Sequence, residues 1–188
     1  MALNLKALAK AMARHTLVQF VRESLERPGC HLIGVPVAVG SRWVVFAHMD
    51  DSIRLDGFDA LRIADLSSVR TVFRNREFYV RGLAFKRRVA AIGSPYAVDS
   101  TRALLASIQK RHALFTIDRE AGEAHGADVG RVVTFGSSHC SFRTISPNAV
   151  WRKGSERVEY EDVTRIGFGA EYEETLGLAA GLEHPLWR

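Results

Sequence analysis

The chain contains few cysteines and prolines and has no long apolar run. Its 188 residues include 2 cysteines and 5 prolines. Cys30 and Cys140 do not make a disulfide framework of the kind that small secreted domains need, so we expect a reducing compartment. No apolar run approaches the roughly 18 residues of a membrane-spanning helix, and residues 1–14 lack the continuous apolar core of a secretory signal. We therefore expect a cytoplasmic protein without a membrane partner.

The chain also lacks the common motifs of catalysis and cofactor binding. Gly136-Ser137-Ser138-His139 is not a Gly-x-Ser-x-Gly nucleophile elbow, and Gly167-Phe168-Gly169 lacks the third glycine of a dinucleotide fingerprint. Cys30-His31 and His139-Cys140 would supply four zinc ligands, but adjacent strand residues point to opposite faces and do not reach one metal. We predict a protein without enzymatic activity, cofactor or metal. A small hydrolase or ligand-binding enzyme is the alternative.

Two polar clusters have a structural interpretation. His48 precedes Asp50 and Asp51, an order that would suit a base with an orienting acid. The pattern instead favours a strand end beside a polar turn. Glu171-Tyr172-Glu173-Glu174 predicts the first turn of a short helix, where acids meet the positive end of the helix dipole.

Residues 34–70 and 130–166 repeat one pattern. Gly34 and Gly130 differ by 96 positions, and Asp65 and Asp162 differ by 97. A repeat of this length indicates a duplicated unit. The two units differ in charge. Residues 1–98 carry 15 Lys and Arg against 8 Asp and Glu, whereas residues 99–188 carry 11 against 13, so their net charges are +7 and −2. Similar binding surfaces are therefore not expected in both.

The apolar spacing predicts the local structure of each unit. Residues 5–25 form one apolar stripe, which predicts an amphipathic helix that ends before Pro28-Gly29. A second helix, capped by Asp99 or Ser100, is predicted to run to about His112. The predicted strands are 31–39, 42–48, 53–55, 60–63, 69–73, 113–118, 130–135, 140–145, 149–152, 158–160 and 163–168.

A helix followed by about five short strands resembles the Sm-like and SH3-like small barrels. Asp56-Gly57-Phe58 followed by Asp65-Leu66 carries the resemblance, and the stretch 55–69 is similar to barrel modules of uncharacterised bacterial proteins. The resemblance implies a mainly β fold with α (α+β), built as two tandem small barrel units, each preceded by a helix. The corresponding domains are residues 1–92 and 93–188. No activity comes with this resemblance.

One basic and aromatic stretch, residues 70–88, is the candidate site. Cations that neutralise phosphates and aromatics that stack on bases together suit single-stranded nucleic acid. The alternative is that the aromatics are core residues and the arginines form a solvated rim. The candidate contact residues are Arg70, Arg74, Arg76, Phe78, Tyr79, Arg81, Lys86, Arg87 and Arg88.

We predict a non-enzymatic, cytoplasmic interaction protein that binds a protein partner. Small barrels leave strand edges that accept a peptide strand, and the arginine-rich end of the first unit would contribute to the contact. The alternative is binding of RNA or single-stranded DNA through residues 70–88. Self-association into a homo-oligomer also remains open.

Overall fold

The computed structural model describes residues 5–25, 31–85, 95–120 and 126–182. This part of the chain contains ten strands, four α-helices and one short 3-10 helix at Ile63–Asp65. In chain order the strands and α-helices are α1 (Leu5–Ala13), β1 (Val18–Val21), β2 (Leu32–Val39), β3 (Trp43–Met49), β4 (Leu55–Arg62), β5 (Ser68–Arg70), α2 (Arg76–Phe85), α3 (Thr101–Gln109), β6 (Phe115–Asp118), β7 (Ala127–Phe135), β8 (His139–Thr144), β9 (Glu156–Glu159), β10 (Arg165–Phe168) and α4 (Glu171–Ala179).

All ten described strands form one open antiparallel sheet in the order β5-β1-β2-β3-β4-β10-β6-β7-β8-β9. The prediction of two closed barrels, each preceded by a helix, is therefore wrong. The physical reason lies at β4. A closed first barrel would pair β4 with β5, but the outer edge of β4 pairs with β10 instead, while β5 pairs with β1. The described part of the chain is mainly β, and its strands belong to one sheet that both halves share.

The repeated segments occupy corresponding places in the sheet. Strands β1 to β5 have the order β5-β1-β2-β3-β4, and strands β6 to β10 have the matching order β10-β6-β7-β8-β9. Gly34 pairs with His48 in the first half, and Gly130 pairs with Thr144 in the second. A Cβ at Gly34 would overlap the Ala47 carbonyl oxygen, and one at Gly130 would overlap the Arg143 carbonyl oxygen. Both glycines are thus required by close backbone approach.

Strand β3 is buried on both faces. Trp43 and Val45 belong to a core that also contains Ile108 of α3 and Phe142 of β8, so this core joins the two halves. The indole Nε1 of Trp43 donates a hydrogen bond to Thr101 Oγ1 at 3.3 Å. The alternate residues of β3 pack in a second core beneath α1. A strand with two buried faces needs apolar residues at consecutive positions, as β3 has.

The N-terminal helix is shorter than predicted. It ends at Ala13, and β1 follows at Val18–Val21 where the sequence predicted more helix. His15 has φ 47°, in the left-handed region that often ends a helix. The apolar run after it satisfied the helical spacing, but its β-branched residues also suit a strand, and pairing with β2 and β5 decides the outcome.

The helix capped at Ser100 is confirmed. The Ser100 side chain accepts a hydrogen bond from the Ala103 backbone N–H, and α3 spans Thr101–Gln109. Its predicted apolar face, Leu104, Leu105 and Ile108, is buried. The predicted domain boundary between residues 92 and 93 lies outside the described residues and stays a prediction. None of the described helices has the length and apolar character needed to cross a membrane.

We expect Gly130→Ala to lower the free energy of unfolding by about 2–3 kcal/mol, because the added methyl group overlaps the Arg143 carbonyl oxygen and forces β7 from β8. Urea unfolding monitored by circular dichroism measures this change. Gly126→Ala is the matched control, since no atom lies within 4 Å of a Cβ there. Its change should stay within about 0.5 kcal/mol. Equal stability of the two variants would contradict the close approach at Gly130.

Candidate functional site

Helix α2 and the turn before it carry the predicted contact residues. The helix starts after Asn75, whose φ of 62° lies in the left-handed region that asparagine tolerates. This turn directs the chain from the edge strand β5 into α2. We call the exposed basic and apolar side chains along this path the arginine surface. Its members are Arg70, Val72, Arg74, Phe78, Val80 and Arg81.

The two adjacent aromatics of α2 have different environments. Phe78 is 62% exposed. Tyr79 is half-buried and packs with Phe73, at 6.3 Å between ring centroids, in a cluster that includes Leu83. Of the two predicted aromatic contacts, the structure therefore leaves Phe78 broadly accessible and holds Tyr79 mainly as a packing residue.

The predicted cations also separate into groups. Arg70, Arg74 and Arg81 are exposed, and Arg76 is half-buried. Glu77 lies 3.6 Å from Arg81, and both side chains are more than four-fifths exposed. Such an ion pair contributes little to stability, so Arg81 is available to a partner. Lys86, Arg87 and Arg88 lie outside the described residues, and their predicted contacts stay predictions.

A second polar cluster lies where the two halves meet, on one side of the β4·β10 pairing. Arg165 of β10 donates two hydrogen bonds to Asp59 of β4, from Nε and Nη2, each at 2.9 Å. Nδ1 of His48 lies 2.8 Å from the same carboxylate. Burial alone would raise the pKa of Asp59, but the Arg165 charge and the His48 hydrogen bond lower it overall. Asp59 is thus an ionised, fully partnered acid.

Asp118 and Glu173 are the less well partnered acids of this cluster. Burial raises the pKa of Asp118 to about 6, only partly opposed by Arg165, whose Nε lies 3.7 Å away. Burial also raises the pKa of Glu173, against a hydrogen bond that Thr116 Oγ1 donates at 2.6 Å. The negative charge of Asp59 raises both pKa values further. These two carboxyl groups are short of positive charge.

A second ion pair, near Asp118 and Arg165, also connects the two halves. Arg22, which follows β1 and is 1% exposed, forms two hydrogen bonds to Glu120 at 2.5 and 2.9 Å. Burial would raise the pKa of Glu120, but Arg22 and the Thr164 hydroxyl lower it overall. Like the Asp59–Arg165 pair, this ion pair joins a residue of the first half to a residue of the second half.

The histidine and cysteine hypotheses have different outcomes. The acid beside His48 is Asp59 of the next strand, rather than the sequence neighbours Asp50 and Asp51. Cys140 is a buried free thiol, and burial raises its pKa to about 11. Cys30 lies outside the described residues. Within the described part of the chain, no three His, Cys, Asp or Glu side chains are grouped so that they could hold a metal ion.

No family model matches the chain, and no curated protein or solved structure matches it at a significant level. The geometry of the two sites is therefore the basis for interpretation. The sequence singled out the stretch that contains the arginine surface, and its role as a contact site stays a prediction. The polar cluster was missed, because its acids are spread from Asp59 to Glu173. One signal was present. Asp59 stands between the apolar residues Phe58 and Ala60 of its strand, which marks a polar position inside a packed sheet.

We expect Asp118→Asn to stabilise the protein at pH 8 by up to about 3 kcal/mol and to leave its stability unchanged near pH 4. The folded state holds the Asp118 proton more tightly than the unfolded state, so the contribution of Asp118 to stability is lost as pH rises from about 4 to about 6. Urea unfolding at a series of pH values measures the difference. Asp162→Asn, at an exposed turn, is the control. If Asp118→Asn lowered the stability at pH 8, the ionised Asp118 carboxylate would stabilise the fold, which would contradict a raised pKa.

Proposed function

We propose that this chain is a non-enzymatic, cytoplasmic protein that binds an acidic, partly apolar segment of a protein partner at the arginine surface. The exposed Phe78, together with exposed arginines at and after an open strand edge, carries this proposal. The cytoplasmic setting is supported by the buried free thiol of Cys140. The alternative of a small hydrolase stays a prediction.

The apolar part of the surface supports a protein partner. Val72 is 85% exposed, Phe78 62% and Val80 38%, within nine consecutive residues. Val80 lies two positions beyond Phe78 in α2, about 200° around the helix, so the aromatic Phe78 is the apolar side chain on which a partner would centre. Burial of Phe78 against a partner would remove a large apolar area from water, so it is the expected anchor.

The adjacent strand edge offers backbone hydrogen bonds. Strand β5 ends the sheet order and pairs only with β1 among the described strands. An edge strand presents unpaired N–H and C=O groups that an extended peptide can join. Because β5 leads directly into the arginine surface, one segment can pair with the edge and reach Phe78.

The charge of the surface defines the partner further. Arg70, Arg74 and Arg81 are exposed, and Glu77 is the one acid among residues 70–81. Arginine forms bidentate hydrogen bonds with carboxylates, so an acidic segment complements this surface. Long-range attraction would also increase the association rate at low salt.

Nucleic acid is less well supported than protein. Stacking on unpaired bases needs accessible aromatic faces. Phe78 provides one, but Tyr79 packs against Phe73, and the exposed Val72 and Val80 are aliphatic. Arg70, Arg74 and Arg81 could contact phosphates as well as carboxylates. The experiment below therefore distinguishes a protein partner from nucleic acid.

Photo-crosslinking tests the proposal directly. With benzoylphenylalanine in place of Phe78, expressed in the native cytoplasm, we expect an adduct with one protein whose crosslinked segment is acidic. The control places the same residue at Tyr172, which is 54% exposed in the first turn of α4, as Phe78 is in the first turn of α2. Nuclease-sensitive adducts would instead indicate nucleic acid. Equal adducts at both positions, or none at Phe78, would contradict the proposal.

With the crosslinked segment as a peptide, we expect Phe78→Ala to weaken binding by about tenfold or more, because a central aromatic anchor is lost. Paired replacement of Arg74 and Arg81 by Glu should slow association most strongly at low salt. Surface plasmon resonance measures both the dissociation constant and the association rate constant. Tyr172→Ala should leave them unchanged, and an equal loss in this control would argue against a specific surface.

A further inference from the structure

The polar cluster at the β4·β10 pairing surrounds a cavity of about 220 Å³. This volume is several times the roughly 30 Å³ that one water occupies in the liquid, so a polyatomic group fits. Four carboxylic acids line the cavity together with one arginine and one histidine. They are Asp56, Asp59, Asp118, Glu173, Arg165 and His48. Negative groups therefore outnumber the permanent positive charge.

Two of the four acids are satisfied by this chain. Asp59 is held by Arg165 through two hydrogen bonds and contacts His48. Asp56 Oδ1 accepts a hydrogen bond from the Glu171 backbone N–H at the start of α4, at 3.0 Å. The remaining pair, Asp118 and Glu173, has no comparable cation within the described residues.

Glu173 has an unsatisfied oxygen. Its side chain is 8% exposed. Oε1 accepts the hydrogen bond from Thr116, whereas Oε2 is buried and has no hydrogen-bond partner among the described residues. Buried polar atoms in native proteins nearly always have a partner, and leaving one without costs free energy. Oε1 is thus occupied, and the Ala170 and Glu173 backbone N–H groups also help to lower the pKa of the carboxyl group, whereas Oε2 has room for a further donor.

Asp118 and Glu173 line the same cavity. Asp118 and Thr116 lie two residues apart on one face of β6, which separates their Cα atoms by about 7 Å. Thr116 contacts Glu173 directly. Between Asp59 and Thr116 lies Gly167, whose missing side chain leaves the floor of the cavity open.

We propose that this cavity binds the ammonium or guanidinium group of an organic cation between Glu173 and Asp118. The guest donates hydrogen bonds to Glu173 Oε2 and to the Asp118 carboxylate and supplies the missing positive charge. This site is separate from the arginine surface, so it does not rest on the function proposed above. Charge-assisted hydrogen bonds in a partly desolvated cavity are strong enough to give selective binding.

Protonation competes with the guest. Burial raises the pKa of Asp118 to about 6, so near pH 6 a proton occupies the Asp118 carboxyl group part of the time, and burial also raises the pKa of Glu173. A bound cation stabilises the ionised carboxylates and releases that proton. Affinity is therefore highest above pH 7 and falls as pH decreases through 6, where binding is coupled to proton release.

Titration of the full-length protein with methylguanidinium and butylammonium tests the proposal, at pH 8 and low salt. We expect saturable shifts of the Gly167 and Thr116 amide resonances and of the Glu173 carboxyl carbon. Capped arginine and lysine amides distinguish the source of the cation. Tighter binding of these amides would indicate a side chain of a partner protein, whereas tighter binding of the free cations would indicate a small molecule. No saturable shift up to about 50 mM cation would overturn the proposal.

Two variants remove the site by different means. Glu173→Gln retains an acceptor for Thr116 and removes the charge, and it should weaken cation binding by about tenfold to a hundredfold. Gly167→Ala adds a methyl group to the cavity floor, 3.4 Å from Asp59 Oδ1 and 3.8 Å from Glu173 Oε1, without a severe overlap. It should also weaken binding while the fold is kept.

Glu174→Gln is the matched control. Glu174 follows Glu173 in α4, is exposed and does not line the cavity, so its affinity should equal that of the unmodified protein. Calorimetry in buffers of different ionisation enthalpy should detect proton release at pH 6 and little at pH 8. Thermal melting confirms that each variant is folded. Unchanged affinity in a folded Glu173→Gln protein would overturn the proposed site.

Discussion

The pairing of β4 with β10 is the constraint on which the rest of the structure depends. It makes one sheet from two similar halves and fixes opposite environments on the two sides of that sheet. On one side Ala60 and Ile166 join the shared apolar core. On the other side Asp59 and Arg165 meet. Because side chains alternate along a strand, a slip of one residue would place these charges in the core.

The same register explains the acid-lined cavity. Arg165 donates two hydrogen bonds at 2.9 Å to Asp59, whereas its Nε lies 3.7 Å from Asp118 Oδ2 on the other neighbouring strand, so Asp118 is held less closely. Gly167, two residues further on the same face, leaves the space into which Glu173 extends from α4. A buried ion pair is a poor source of net stability, but it enforces a particular arrangement once it has formed. Here the arrangement leaves two acids with too little positive charge.

The sequence predicted structure well where local chemistry decides it. Ser100 caps α3 through its own side chain, and the apolar spacing that follows it identified the buried face correctly. Prediction failed where distant pairing decides. Leu17 to Val21 fit a helical stripe, and their strand conformation depends on partners at residues 32–34 and 68–70. The β4·β10 pairing joins residues about a hundred positions apart, and no local pattern specifies which edge β4 will use.

The exposure of single side chains at the candidate sites also depends on distant contacts that the local sequence does not specify. Phe78 and Tyr79 are adjacent, and successive helical residues point about 100° apart, so tertiary packing of Tyr79 against Phe73 and the cluster that includes Leu83 decides which is buried. The excess of basic residues in the first half was visible in the sequence, but its placement was not. The arginine surface adjoins the outer edge at β5, whereas the acidic cavity lies at the central pairing. The two halves share one strand order, but their joining through β4 and β10 gives equivalent strands different surroundings, so each half can contribute to a different site.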